Sequence, residues 1–373
     1  MVDYCRMNNT NTSHAENAVT DINPIPYLTW TWLKINKDSV SYDFSFTENN
    51  GTDIQIPSNV TVSTGNTVKT ELSEPESSIG EEASKLITSA AEGKIYTFEK
   101  SKEETKPLII RIKADSNSAT YNIIHAKAGA EGKVIIVYEG SSTDSGNEAL
   151  SGVVTKVYAE DDSNIQITKV QLFDKTVNQI DDTQVVCGER AKAGLIQVVL
   201  GGAHTDASFH ATLAGYQSKF VSDTAYLCRE NQYIDMNQTV VHTGKKTDCN
   251  MKTDGTVKDN ATKTYRGTID MRRGCSGSTG NEMETTLLLS PTAVVKAAPI
   301  ILCGEDDISA EHGSTIGKLS PEMLFYMNSR GIDQQTAEAL LTRAKITATS
   351  ANIPEESIRE EINNWLNREL GED

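Results

Sequence analysis

From Pro107 to about residue 310 the chain is a procession of short strand-like runs. PLIIRIK, TYNIIHAK, KVIIVYEG, VVTKVYAE, IQITKVQLF, LIQVVLGG, ASFHATLAG, YRGTIDM and TTLLLS follow one another, broken by Gly, Asn, Asp and Ser. Many alternate apolar and polar residues, as half-buried strands do, and no amphipathic helix of ordinary length interrupts them. Two architectures fit: a sandwich or barrel, and a stacked β-helix whose coils pair only with their neighbours. Spacing favours the second. The doublets Asp161-Asp162 and Asp181-Asp182 lie 20 residues apart, and Cys228, Cys249, Cys275 and Cys303 are separated by 21, 26 and 28. Such spacings would stack equivalent side chains on successive coils.

The flanks differ in texture. Residues 1 to about 30 read as a polar lead-in, followed by TWTWLKIN, whose Trp30, Trp32, Leu33 and Ile35 are expected to dock the segment. A short helix is expected near Glu82 to Ala91. At the other end Ser320-Pro321 is a helix start, with Ser as N-cap and Pro in the first turn. Met323, Leu324, Tyr326 and Met327 give that helix an apolar face, and Gly331 stops it. Asp333 caps a second helix with the stripe Ala337, Leu340, Leu341 and Ala344. A third, from Pro354, carries Ile358, Ile362, Trp365, Leu366 and Leu370. The expected division is a lead-in and cap region over 1–100, a β body over 101–317 and a helical domain over 318–373.

Composition excludes several function classes. The formal charge is −17 over 373 residues, which opposes nucleic-acid binding. Lys245-Lys246 and Arg272-Arg273 read as solvated surface pairs. The first residues have no apolar h-region, and no run approaches ~20 apolar residues. A soluble, cytoplasmic protein without a membrane partner is expected. The cysteines at 5, 187, 228, 249, 275 and 303 form no CxxC pair, so free thiols are expected rather than a zinc site.

Four groups of residues invite chemistry. The Asp doublets 161/162, 181/182 and 306/307 have the composition of a β-helical carbohydrate-active enzyme, although Asp is also the common turn residue. His204, Asp206 and His210 share strand parity and so one face, the arrangement of a metal site. His242 and Cys249 flank a Gly-Lys-Lys turn without P-loop spacing. Finally, Glu311-His312 lies in AEHGSTIG, where imidazole beside carboxylate is either a ligand for iron or a hinge histidine.

The ordered segments Tyr265-Arg266-Gly267-Thr268-Ile269, Leu287-Leu288-Leu289-Ser290, Asp306-Asp307-Ile308, His312-Gly313-Ser314-Thr315-Ile316-Gly317 and Ser329-Arg330-Gly331-Ile332 resemble the C-terminal signature of the SufB/SufD family of iron–sulfur cluster assembly. The resemblance is close over about 240 to 345. It implies a right-handed parallel β-helix with a small N-terminal cap region and a C-terminal helical domain, and a non-enzymatic scaffold. It also implies a SufB-like partner or a second copy on the β-helix, a SufC-like ATPase on the C-terminal helices, and a cluster held transiently at the subunit interface with none permanently bound. On this resemblance His312 is the metal-contacting residue, Glu311 its companion, and Phe325, Tyr326 and Arg330 the ATPase contact, with helix packing the alternative for the two aromatics. Two departures favour the SufD branch: Gly313 follows His312 where SufB-type chains have Glu, and Glu284 stands where they have a cysteine. Ala310 replaces a cysteine that some SufD members carry, leaving His312 without a thiolate in its own loop.

Overall fold

The computed structural model describes residues 21–29, 31–49, 52–101, 106–143 and 148–371. Three short strands come first: β1 (Thr47–Glu48), β2 (Thr52–Gln55) and β3 (Val60–Thr64). Helix α1 (Glu81–Ala90) follows, then β4 (Lys94–Phe98), β5 (Leu108–Lys113), β6 (Ser118–Ala126) and β7 (Glu131–Glu139). The coil continues through β8 (Ala149–Ala159), β9 (Asn164–Gln171), β10 (Val177–Cys187), β11 (Lys192–Val199), β12 (His204–Leu213) and β13 (Lys219–Cys228). It ends with β14 (Tyr233–His242), β15 (Asp248–Val257), β16 (Thr262–Met271), β17 (Ser278–Leu288), β18 (Val294–Cys303) and β19 (Ile308–Gly317). Helices α2 (Pro321–Ser329), α3 (Gln334–Ser350) and α4 (Glu356–Leu370) close the chain.

From β4 onward each strand pairs in parallel with its second neighbour in sequence. The even-numbered strands build one sheet from β4 to β18 and the odd-numbered ones a second from β5 to β19. This is a parallel β-helix, with one strand per sheet in each turn. Its lumen is filled by Phe98, Ile110, Ile136, Val157, Ile167, Phe209 and Phe220 among others. The outer faces are covered too. The N-terminal segment and α1 lay Ile22, Phe44, Ala83 and Ile87 over the even sheet. Helices α3 and α4 lay Ile346, Ile358, Ile362, Trp365 and Leu366 over the odd one. Strands buried on both faces lose alternation and read as continuous apolar runs, as in KVIIVYEG.

The coil's true period is written in its corners. Asp162, Arg190, Gln217 and Lys246 all adopt left-handed backbone, as do Gly129 and Gly277 on the same corner. Each N–H donates one turn along the coil: Asp162 to the Glu189 carbonyl at 2.8 Å, Arg190 to Tyr216, Gln217 to Lys245, Lys246 to Ser276 and Gly277 to Asp307. The recurrence is about 30 residues, one coil of this fold.

That register corrects the spacing argument. Asp181 lies in register with Val153 and Ala207, whereas Asp161-Asp162 and Asp306-Asp307 belong to the corner ladder. The cysteines do not stack either: Cys228 faces Val257, Cys249 faces Phe220 and Gly280, and Cys303 faces Met271. The docking segment is corrected in part. Trp30 lies outside the described residues and Trp32 and Leu33 are exposed, while Ile35 is buried. Ser320 and Asp333 cap α2 and α3 as expected, accepting from Met323 N and Thr336 N. The apolar face of α2 is only half-covered: Leu324 and Met327 are half-buried, Met323 and Tyr326 exposed, and no residue of the helix is fully buried. On α3 the buried residues are Ala337, Thr342, Ile346, Thr349 and Ser350 rather than the Leu stripe. The helix docks through polar bonds such as Thr349 Oγ1 to Asp223 at 2.7 Å. Among the described residues no helix is long and apolar enough to cross a membrane.

Candidate functional site

The coil ends openly. β18 and β19 are the outermost strands of the two sheets, each ten residues long, and among the described residues nothing pairs with their outer edges. AEHGSTIG is therefore strand, not the loop or hinge expected of it. It extends the odd sheet by one more coil, with Ala310 opposite Gly280, His312 opposite Glu282 and Ser314 opposite Glu284.

Successive residues of a strand face opposite ways. Ile308 and Ala310 pack against the lumen core, and Ser314 Oγ donates to Glu284 Oε2 at 2.5 Å. His312 shares their parity and so stands on the lumen face, at the mouth of the coil. Glu311 lies on the other face. The two predicted site residues are neighbours in sequence but face opposite ways along the strand. Both are exposed.

Beneath His312 the lumen is polar: Lys263, Glu282, Glu284, Thr253, Thr286, Gln238, Tyr226 and Tyr265 are buried inside. Lys263 Nζ donates to Glu284 Oε1 at 2.6 Å and lies over the Tyr265 ring, 4.6 Å from its centroid. Burial penalises both charges, and it drives the Lys263 ammonium below its usual range. Lys263 nevertheless holds Glu284 below the ordinary carboxylate value. Gly255 makes room for the Tyr226 ring, which a Cβ would meet at 2.5 Å; Tyr226 thereby reaches Thr286 at 2.6 Å. Glu282 is different. Among the described residues neither carboxylate oxygen makes a well-aligned hydrogen bond, although the Tyr265 hydroxyl lies close, and burial pushes its pKa up to about 7. A buried acid so weakly compensated favours its proton. The sequence reading placed only Glu284 here, by comparison with a family cysteine. It missed Lys263 and Glu282, which no local motif announces, because their meeting depends on the coil register.

The remaining candidates separate. Asp181 is neutralised inside the lumen by Lys169 at 2.7 Å, with Tyr138 OH at 3.1 Å. Asp182 faces outward, under Ser77 and Ser208, and Asp162 pairs with Arg190 on the corner. The doublets thus do not form a paired-carboxylate site. His242 Nε2 lies 3.2 Å from Cys249 Sγ, but burial pulls the imidazole down to about 4 and pushes the thiol up to about 12, leaving both neutral and inert. His204 and His210 share parity but stand six residues, about 20 Å, apart along β12. Phe325 and Tyr326 are 75% and 59% exposed and Arg330 stacks on Tyr326 at 5.4 Å, so the aromatics are not helix-packing core. Cys303, at the end of β18, is the exposed thiol among the described cysteines.

Comparison with known proteins adds the following. Residues 109–345 match the family model described as SUF system FeS cluster assembly, SufBD core domain. The iron–sulfur cluster assembly protein SufD of Bacillus subtilis (strain 168) is 22% identical over 277 residues, covering 74% of this chain and 63% of that protein. SufD of Escherichia coli (strain K12) is 23% identical, covering 66% and 58%. SufB of B. subtilis is 24% identical, covering 56% and 45%. The chain thus spans less than two-thirds of the length of each of these relatives.

Proposed function

The chain belongs to the SufB/SufD family of SUF-system iron–sulfur cluster assembly proteins, and from that premise we propose that it is a non-catalytic scaffold subunit of the SufD kind. Its open end pairs with a SufB-like paralogue, and its α2–α3 region recruits a SufC-like ATPase. The observation that carries this reading is the pair of uncovered ten-residue strands at one end of the coil. An unpaired strand edge is a template for another chain. β19 has no proline and presents an unbroken edge, whereas Pro299 removes one donor from β18, a place where only an edge strand tolerates it.

His312 stands at that edge on the lumen face, so a cluster assembled between two such ends would meet its imidazole. Imidazole suits iron. Glu311, on the opposite face, is assigned to the pairing surface rather than to the cluster. The cluster is cargo, passed on and not retained, and the partner supplies the thiolates that Ala310 does not. On α2 the exposed Phe325 and Tyr326, with Arg330 stacked on the latter, form an aromatic and cationic anchor of the kind that dominates protein interfaces. The free thiols fit a reducing compartment, the cytoplasm.

Co-expression with SufB and SufC tests the assignment: a stable co-purifying complex is expected, and its absence contradicts the reading. His312→Ala should fold and pair normally but assemble clusters more slowly; unchanged assembly removes His312 from the site. A second reading, a homodimeric scaffold, rests on the same edge, because two copies can pair as readily as two paralogues. A dimer of the lone chain that retains a reconstituted cluster would select it.

A further inference from the structure

A second constellation lies far from the open end, where the N-terminal segment crosses the even sheet. Asp38 approaches β12 beside His204 and Asp206. His204 Nε2 lies 3.1 Å from Asp38 Oδ2 and 3.4 Å from Asp206 Oδ1, and the three ligand-type atoms lie within 4.8 Å of one another. A four-coordinate first-row metal ion with bonds near 2.0–2.1 Å separates its ligand atoms by about 3.4 Å, so the spacing already suits one.

The remaining atoms are arranged as a supporting shell. Tyr42 OH donates to Asp206 Oδ2 at 3.3 Å, and Tyr233 OH donates to Asp38 Oδ1 at 3.5 Å. Each carboxylate therefore has one oxygen tied back and the other turned to the imidazole. The His204 ring is held between the same two tyrosines, with centroids at 5.6 and 4.5 Å. Such outer partners orient metal ligands. The nearest fixed cation is committed elsewhere: Arg266 pairs with Asp235 and donates Nε to the Ile35 carbonyl at 2.5 Å, while Asn23 also donates to Asp235 at 2.7 Å.

One atom points to a ligand independently. Asp206 is 0% exposed, yet among the described residues its Oδ1 has no aligned donor: the His204 N–H points to Asp38, and Oδ1 lies close but out of line. A fully buried carboxylate oxygen without an aligned donor is costly; against the penalty of burial, the two carboxylates raise the His204 imidazole to about 10, and a bound cation would take the place of that proton. His204 and Asp38 are 24% and 14% exposed, which leaves an entry path.

We propose that Asp38 Oδ2, His204 Nε2 and Asp206 Oδ1 bind one divalent first-row transition-metal ion of the Zn(II) or Fe(II) type, clipping the N-terminal segment to the coil. One imidazole and two carboxylates suit these ions better than Ca(II), which wants six to eight oxygens, or Cu(I), which wants sulfur. The ion is distinct from the cluster cargo. It is a structural clasp, and a solvent ligand completes its shell.

The test uses the full chain in a His312→Ala, Cys303→Ser background, stripped with chelator and titrated with Co(II), whose visible bands report binding. One equivalent should bind and be displaced by Zn(II). Affinity should fall at least about 100-fold in Asp38→Asn and in His204→Gln, and about 10-fold in Tyr42→Phe. Proteolysis within residues 21–49 should slow when metal is present. Asp38→Asn is isosteric and lies at a partly exposed position, so it reads out the site even if a change at buried Asp206 unfolds the chain. Absence of Co(II) binding in the background protein overturns the proposal. So does undiminished binding in Asp38→Asn and His204→Gln proteins whose circular dichroism matches the parent's.

Discussion

The two ends of the coil are built from the same repeating unit and finished in opposite ways. At the N-terminal end the sheets are closed by β2 and β3, four and five residues long, which run antiparallel to β5 and β4. Directly beneath, β6 is buried along its whole length. At the C-terminal end the last coil is full-sized and parallel, nothing among the described residues pairs with its outer edge, and its Val294 and Ile316 are 43% and 47% exposed. A short antiparallel strand ends a sheet at small cost; a long parallel edge invites continuation. The difference teaches that one end is finished as a terminus, while the other keeps the open edge on which the proposed pairing rests.

The largest expected effect breaks that contrast at the edge itself. Ile316→Lys with Val294→Lys should weaken pairing by at least about 100-fold in sedimentation analysis, because a buried interfacial ammonium finds no partner, while Val62→Lys on β3 should leave pairing unchanged. Equal losses from both ends would erase the distinction. Next comes the polar lumen. Lys263→Met strands Glu284 in a dry interior and should cost about 3–5 kcal/mol in denaturant unfolding, with partial recovery on adding Glu284→Gln.

A smaller effect concerns pH. Glu282 has a folded pKa of about 7, above its ordinary 4.5. The folded state therefore holds a proton that the unfolded chain releases, and stability falls as pH rises from about 4.5 to 7. Glu282→Gln should remove that slope and stabilise the chain at pH 8 by about 3 kcal/mol, read as a flattened melting profile across pH. An unaltered profile would mean the carboxyl is solvated through the open mouth. Smallest is Ser320→Ala, which removes the cap on Met323 N and should cost about 1 kcal/mol locally, seen as faster amide exchange in α2 alone.

Much of this was legible in the chain. Strand-like runs without helices, followed by Ser320-Pro321 and Asp333, mark a β body and a helical tail, because caps and alternation are local signals. The coil period was not legible through Asp and Cys spacing. It resides in left-handed corners occupied by Asp, Arg, Gln, Lys and Gly alike, where the backbone bond and not the side chain repeats. His312 was singled out through resemblance alone, and its facing away from Glu311 needed the knowledge that the segment is strand. Asp38 could not be paired with His204 and Asp206 from spacing, since 166 residues intervene; Lys263 and Glu284 likewise meet only through register.

The most direct test of an open assembly end is hydrogen exchange on the chain alone and in complex with its SufB-like partner. The account predicts new protection in the amides of β18 and β19 and none in β2 and β3. Protection at β2 and β3, or none at β19, would contradict it.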